Sequence, residues 1–324
     1  MPASRLATAA SCSAARGVPE GDTLFRTAAV LREVLLGQVV RGARGRPGGA
    51  ALGKVVGMRV DRVDAQGKHL LIGFDGGLTL HTHLRMNGSW HRYRPGERWR
   101  RTPARAVCVI EVPDGVAVCF DAPVVELLDS RALAIHPALA ALGPDLLAPA
   151  PDIHVALERL GSAARREMPV GEALLDQRAL AGLGNVYRSE LCFMERVDPF
   201  LPVGQVDPAV LERLVRTGAR LLRANSSGSH RTTTPDALGA QPGVDAPGSA
   251  IRRADGDRLW IYGRTGRPCR RCGTPIRSLV TGAMPRRVWW CPACQPVGAG
   301  GTTAATGSDG ADGARGAMPS IDRR

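Results

Sequence analysis

Cys269-Arg270-Arg271-Cys272 and Cys291-Pro292-Ala293-Cys294, with 18 residues between them, decide how the last part of this chain must fold. Each pair presents two thiols two residues apart, close enough to share one ion. Two such pairs complete a tetrahedral four-sulfur set, which suits Zn²⁺ and leaves no open coordination position. Such an ion is structural and staples a segment too small to build its own core. A single Cys-x-x-Cys is equally compatible with redox chemistry, but the doubled pattern argues for metal. The other cysteines, Cys12, Cys108, Cys119 and Cys192, are isolated and read as small buried hydrophobes or free thiols.

Working outward, residues 258–294 carry eight arginines and no acid. The whole chain of 324 residues has a net charge of +13, so this module holds a large share of the excess and points to a polyanionic partner. Arg277, Arg286 and Arg287 lie between the cysteine pairs, where a guanidinium fork can grip a phosphate; for Arg277 and Arg287 a solvated surface charge is an equal reading. Only two lysines occur, Lys54 and Lys68, against 41 arginines. A lysine retained in so arginine-biased a chain suggests a need for a compact, rotatable charge.

Upstream, residues 171–193 predict a helix to about Leu180, a glycine-rich turn at Gly182-Leu183-Gly184, and a second helix capped by Asn185. Such a turn aims N–H groups and a positive helix end outward, which suits phosphate, although many helical hairpins share the pattern. Between 38 and 128, short β runs at Lys54–Val63, His69–Phe74, Leu78–Leu84, Val107–Val112 and Val116–Phe120 predict an antiparallel sandwich. Residues 22–36 predict a helix capped by Asp22 or Thr23, with Phe25, Ala28, Leu31 and Leu35 as its apolar stripe.

The ordered set of motifs resembles the formamidopyrimidine-DNA glycosylase/endonuclease VIII family over roughly residues 18–296. Its members begin with Pro-Glu-Gly, here Pro19-Glu20-Gly21. Gly67-Lys68-His69, His83-Leu84-Arg85-Met86-Asn87-Gly88, Leu174-Leu175-Asp176-Gln177, Gly182-Leu183-Gly184-Asn185-Val186-Tyr187 and Tyr262-Gly263-Arg264 follow, and the cysteine pairs with Arg286 close the series. The resemblance implies an α+β multidomain fold. An N-terminal antiparallel β-sandwich with a flanking helix is followed by a helix–two-turns–helix domain and a four-cysteine zinc-finger hairpin, with DNA in the cleft. The expected divisions are an extension at 1–17, a catalytic sandwich at 18–131, a helical domain at 132–224, a flexible loop at 225–257, the finger at 258–296 and a disordered tail from 297. Residues 1–17 are Ala/Ser-rich and acid-free, like a transit peptide, but read more simply as upstream sequence miscounted as coding.

The implied activity is base excision repair, with a damaged-base glycosylase and an abasic-site lyase in one enzyme. Val124 and Val125 stand where the formamidopyrimidine branch carries arginines, so the endonuclease VIII branch and oxidised pyrimidines are favoured. The implied roles are Pro19 as nucleophile, Glu20 as general acid, and Lys68 and Arg286 as phosphate-holding groups of the catalytic site. Met86 would fill the gap left by a flipped base, and Asn185, Arg264 and Arg287 would hold DNA. On residues alone, Met86 reads equally as a core methionine and Glu20 as a first-turn helix charge. A terminal amine has a pKa of ~8 against ~10.4 for lysine, so a free Pro19 is a usable nucleophile at neutral pH. Within a Val18–Pro19 peptide bond its nitrogen is an amide and is not one. Removal of residues 1–18 is therefore expected in the working protein. Asp22-Thr23 departs from the family's usual run, so a second acid near the site is shifted or missing. Damaged DNA is the expected partner. The chain is expected to be a cytoplasmic, nucleoid-associated monomer with one structural Zn²⁺, no small-molecule cofactor and no membrane contact. The competing expectation is a non-catalytic zinc protein of the same fold that binds damaged DNA.

Overall fold

The computed structural model describes residues 18–228, 230–234, 258–282 and 284–298. The expected extension at 1–17, most of the expected 225–257 loop and the tail beyond 298 lie outside the described residues.

Helix α1, Gly21–Leu35, runs as its sequence pattern predicts, but its stripe is turned by one residue. Leu24, Ala28, Leu31 and Leu35 are buried, whereas Phe25 is exposed. Neither Asp22 nor Thr23 caps it; Glu20 is the N-cap residue and makes no side-chain capping bond. The buried stripe lies on a sandwich of two four-stranded antiparallel sheets. One sheet has the order β1 (Gly42–Gly45), β6 (Ala106–Val112), β7 (Gly115–Phe120), β5 (Ser89–Tyr93). The other has the order β2 (Val60–Gln66), β3 (His69–Phe74), β4 (Leu78–His83), β8 (Val124–Asp129). Leu70, Ile72 and Phe74 of β3 point into the core between the sheets with Leu80, Ile110 and Ala117. Every residue of β3 is buried, so its outer face is covered as well. The predicted strand at Lys54–Val63 is only half realised. Leu52–Val55 forms a 3-10 turn, and the chain reverses at Gly57, whose φ of 86° places it in the left-handed region.

A linker with two short helices, α2 (Ser130–Ala134) and α3 (Pro137–Ala140), leads to the helical unit. There α4 (Ile153–Leu160), α5 (Val170–Ala173), α6 (Asn185–Met194) and α7 (Pro208–Ala224) surround a second core that includes Leu174, Leu183, Tyr187, Leu191 and Leu214. The helix predicted to reach Leu180 stops at Ala173. Side chains take over the backbone beyond it. Asp176 Oδ1 accepts from the Arg178 N–H, and Gln177 donates to the carbonyls of Leu175 and Leu183 while accepting from Gly182 N. The cysteine module is a hairpin of β9 (Arg277–Thr281) and β10 (Arg286–Trp290). Ile261, Ile276 and Trp289 pack with Phe193, which seats the module on α6.

Candidate active site at the contact of α1 with α6

Two short segments far apart in sequence meet at the start of α6. Gly21 N donates to Gly182 O at 2.9 Å, and Glu20 Oε1 accepts from Val186 N at 2.7 Å. The approach requires glycine on both sides. A Cβ on Gly21 would sit 2.9 Å from the Gly182 Cα, and one on Gly184 would sit 2.4 Å from the Glu20 carboxyl carbon. One N–H at the start of α6, that of Val186, therefore receives a carboxylate of this protein, where the positive helix end favours negative charge. Glu20 is fully buried, and its Oε2 has no hydrogen-bond partner among the described residues. Pro19, its neighbour in sequence, is buried as well.

Two cationic side chains, Lys68 and Arg231, act on this carboxylate, and Arg286 stands near Lys68. Lys68 follows the turn at Gly67, whose N–H donates to Asp145 Oδ2 at 2.7 Å, tying the entry to β3 to the helical unit. Burial lowers the Lys68 amine to about 8; the Glu20 charge opposes the fall, and Arg286 and Arg231 add to it. Arg286 is half-buried at the start of β10. Arg231 sits 3.9 Å from Glu20 Oε1 and grips Asp22 with Nη2 at 2.5 Å and Nε at 2.9 Å. Its guanidinium lies over the Tyr187 ring, 5.1 Å from the centroid. Burial acts to raise the Asp22 carboxyl, but Arg231 and then Arg26 hold it below its ordinary value. Asp22, at the departure from the family's usual run, is thus a buried acid paired with Arg231.

The other candidate residues take varied positions. Met86 stands on the turn after β4 and is 64% exposed, so it is no core methionine. Asn185 is the first residue of α6 and does not cap it; Nδ2 donates to Arg287 O at 2.9 Å. Arg188, buried in α6, donates to the same carbonyl at 2.8 Å. The Arg287 side chain is exposed and bonds Ser278 Oγ. Arg264 donates to the Trp260 and Pro268 carbonyls, which makes it a brace of its own loop rather than a free guanidinium. Val124 and Val125 lie inside β8, opposite His83 and Thr82 of β4. Among the described residues, no helix is long and apolar enough to cross a membrane.

The Sγ atoms of Cys269, Cys272, Cys291 and Cys294 all lie within 4.8 Å of one another and can hold one metal ion. Cys108, Cys119 and Cys192 are buried apart from them, and burial raises all three thiols. Glu190 of α6, which carries no motif, anchors the module. Its carboxylate accepts the N–H groups of Trp260, Ile261 and Tyr262 at 2.8–2.9 Å, and the Thr233 hydroxyl. Sequence reasoning missed Arg231, Arg188 and Glu190 because each is unremarkable among its neighbours in the chain.

Comparison with known proteins bears on this geometry. The formamidopyrimidine-DNA glycosylase N-terminal domain matches residues 18–125, and the formamidopyrimidine-DNA glycosylase H2TH domain matches residues 142–235. The chain is 41% identical over 281 residues to "Probable endonuclease 8 2" of Streptomyces coelicolor, covering 86% of this chain and 94% of that one. It is 40% identical to "DNA-(apurinic or apyrimidinic site) lyase Nei2" of Mycolicibacterium smegmatis, covering 86% and 99%. In fold it is similar to a Lactococcus lactis FPG mutant in complex with a Fapy-dG containing DNA, with a TM-score of 0.69 at 20% identity over 86% of this chain and all of that one. The chain belongs to the formamidopyrimidine-DNA glycosylase/endonuclease 8 family.

Proposed function

We propose that this chain is a bifunctional DNA glycosylase and abasic-site lyase of base excision repair, acting as a monomer on damaged DNA with Pro19 as its nucleophile. The observation that carries the reading is the Glu20 carboxylate, buried beside Pro19, with one oxygen fixed by α6 and the other without a partner among the described residues.

The target base must leave the duplex stack, at a cost of a few kcal/mol. Exposed Met86 is available to enter the vacated stack as an apolar wedge. The free amine of Pro19 then attacks C1′. The N–C1′ bond forms as the C1′–base bond breaks, and the base leaves with the electron pair and takes up a proton. Glu20 is the general acid that delivers a proton to the sugar ring oxygen or the leaving group. The amine proton then leaves and the C1′–O4′ bond breaks, with O4′ taking up a proton, so that the ring opens and a C1′=N iminium ion forms, which acidifies the 2′ hydrogens. Loss of a 2′ proton expels the 3′ phosphate, and a second elimination expels the 5′ phosphate. Lys68 and Arg286 hold phosphates beside the sugar, contacts that position the DNA without reading sequence. Asn185 and Arg188 support this clamp by fixing the Arg287 carbonyl in β10. Oxidised pyrimidines are the proposed lesions, because Val124 and Val125 present no guanidinium in β8.

The cysteine cluster fits Zn²⁺. A tetrahedron with Zn–S bonds of ~2.3 Å has edges of about 3.8 Å, and the Sγ separations of 3.5 Å (Cys272–Cys291, Cys272–Cys294) and 3.9 Å (Cys269–Cys294) are close to that. The ion would hold the β9–β10 hairpin and with it Arg286.

The test is borohydride trapping on abasic DNA with a chain beginning at Pro19. A covalent complex is expected, and none with Pro19→Gly. An uncleaved chain retaining Val18 should not be trapped. Equal trapping by that chain would refute the Pro19 assignment. Absence of any complex from the chain beginning at Pro19, with DNA still bound, would favour a non-catalytic damage-binding protein.

A further inference from the structure

On the outer face of the sheet containing β3, β4 and β8, three side chains from three separate elements converge. His81 Nδ1 of β4 lies 2.8 Å from Glu126 Oε2 of β8, and His136 Nε2, from the linker just before α3, lies 3.1 Å from the same oxygen. The three ligand atoms all fall within 4.8 Å of one another. His81 is almost wholly buried and the His136 side chain is 15% exposed, while the Glu126 side chain is 45% exposed. The cluster is therefore enclosed on the histidine sides and open to water on the carboxylate side.

We propose that His81, Glu126 and His136 form a second metal site, which binds a divalent transition-metal ion of the Zn²⁺ class and clamps the interdomain linker to the sheet. Two imidazoles select this class of ion over Mg²⁺ or Ca²⁺, which prefer oxygen. Bonds of about 2.0–2.1 Å in a tetrahedron place ligand atoms about 3.4 Å apart, so the His81–Glu126 spacing of 2.8 Å and the His136–Glu126 spacing of 3.1 Å would open by about 0.6 and 0.3 Å. Two histidines and one glutamate with an open position form a ligand set known from zinc sites, and the exposed side of Glu126 admits the water that completes it. For His81 the outer partner that a ligating histidine needs is also present, whereas His136 Nδ1 faces the Leu139 N–H and would turn from it on binding a metal through Nε2. His81 Nε2 lies 2.8 Å from His69 Nδ1, so with Nδ1 given to the metal, His81 carries its proton on Nε2 and donates it to His69. The pairing of His81 with Glu126 across β4 and β8 is fixed by strand register, whereas His136 belongs to the linker. An ion there would tie the linker to the sheet next to Lys68, the residue before His69.

The experiment uses the full chain dialysed against micromolar Zn²⁺, with metal per chain measured by plasma mass spectrometry. Glu126→Gln and His136→Gln, each checked for native circular dichroism, should bind one equivalent less than the unaltered chain. Equal equivalents in all three would overturn the proposal. Because the readout is a difference, it stands whether or not the four cysteines are loaded. A second measurement needs no variant. Co²⁺ titrated into the chain carrying a single equivalent of Zn²⁺, which the four cysteines hold, should add visible absorption without a thiolate charge-transfer band; absence of any such spectrum at excess Co²⁺ would refute the site.

Discussion

The contact between Gly184 and Glu20 offers a way to disturb the proposed acid without touching it. In Gly184→Ala the new Cβ would lie 2.4 Å from the Glu20 carboxyl carbon and 2.6 Å from its Cγ. Ordinary carbon–carbon contact begins at about 3.5 Å, so the overlap is roughly 1 Å. Glu20 has no exposed surface into which to swing, so the carboxylate must shift and the Val186 N–H bond must stretch or break. Overpacking of this kind costs about 1–3 kcal/mol of stability, and a hydrogen bond to a charged group is worth about 1.5–3 kcal/mol. A positioned general acid contributes ~10²–10⁴ in rate. Single-turnover base excision by Gly184→Ala, starting at Pro19, should therefore fall by about two to four orders of magnitude. Trapping on abasic DNA should fall less, because no base has to depart. Excision within threefold of the unaltered chain, at a comparable melting temperature, would show that Glu20 does not act from this position.

Three further outcomes follow from the same geometry. Arg231→Met leaves the buried Asp22 and Glu20 carboxylates without their main cation and should cost about 3–5 kcal/mol in urea unfolding; a loss below about 1 kcal/mol would show that the pair is not structurally important. Lys68 has a folded pKa near 8, below its ordinary 10.5, so its proton is lost on raising the pH through 8. Its contribution to fold stability therefore grows from pH 8 towards 10.5, whereas its phosphate contact weakens over pH 7–9. DNA affinity should show that step in the native chain and lose it in Lys68→Met; an identical step in both would remove Lys68 from the contact. Glu190→Gln puts an amide N–H₂ against groups that donate, and should speed amide exchange at residues 260–262 while sandwich amides keep their protection; unchanged exchange would deny Glu190 its anchoring role.

What the chain discloses on its own divides by distance. The cysteine quartet, the Pro19-Glu20-Gly21 start and the long β3 and β4 runs are legible because ligands, turn glycines and alternating apolar residues are close neighbours in sequence. Strands β1, β5 and β8 escape notice: Gly42–Gly45 lacks β-branched residues, Ser89–Tyr93 is half polar, and Val124–Asp129 is read more easily for what it lacks than for its pairing with β4. The Asp22–Arg231 pair spans 209 residues, and the bond from Glu20 to the start of α6 spans 166. Neither partner carries a local pattern that names the other. The early end of the helix after Val170 was equally hidden, because it depends on how Asp176 and Gln177 turn back on their own backbone.

The two oxygens of Glu20 suggest how nucleophile and acid are kept in register. One oxygen is bound by the N–H of Val186, which fixes the side chain to α6; the other has no hydrogen-bond partner among the described residues and is the one proposed for chemistry. Pro19 and Glu20 sit at the head of α1, whose remaining length is packed into the sandwich, so the proposed nucleophile and acid ride on one rigid element. The acid exists in this form only while the sandwich and the helical unit touch at Gly21, Gly182 and Gly184. Any opening of the cleft for DNA must therefore leave that contact intact and be taken up elsewhere. Residues 130–141, which join the two units, are themselves held to the sheet by Ser130 Oγ on Gly77 O, by the His136–Glu126 bond and by the His136 ring against His81.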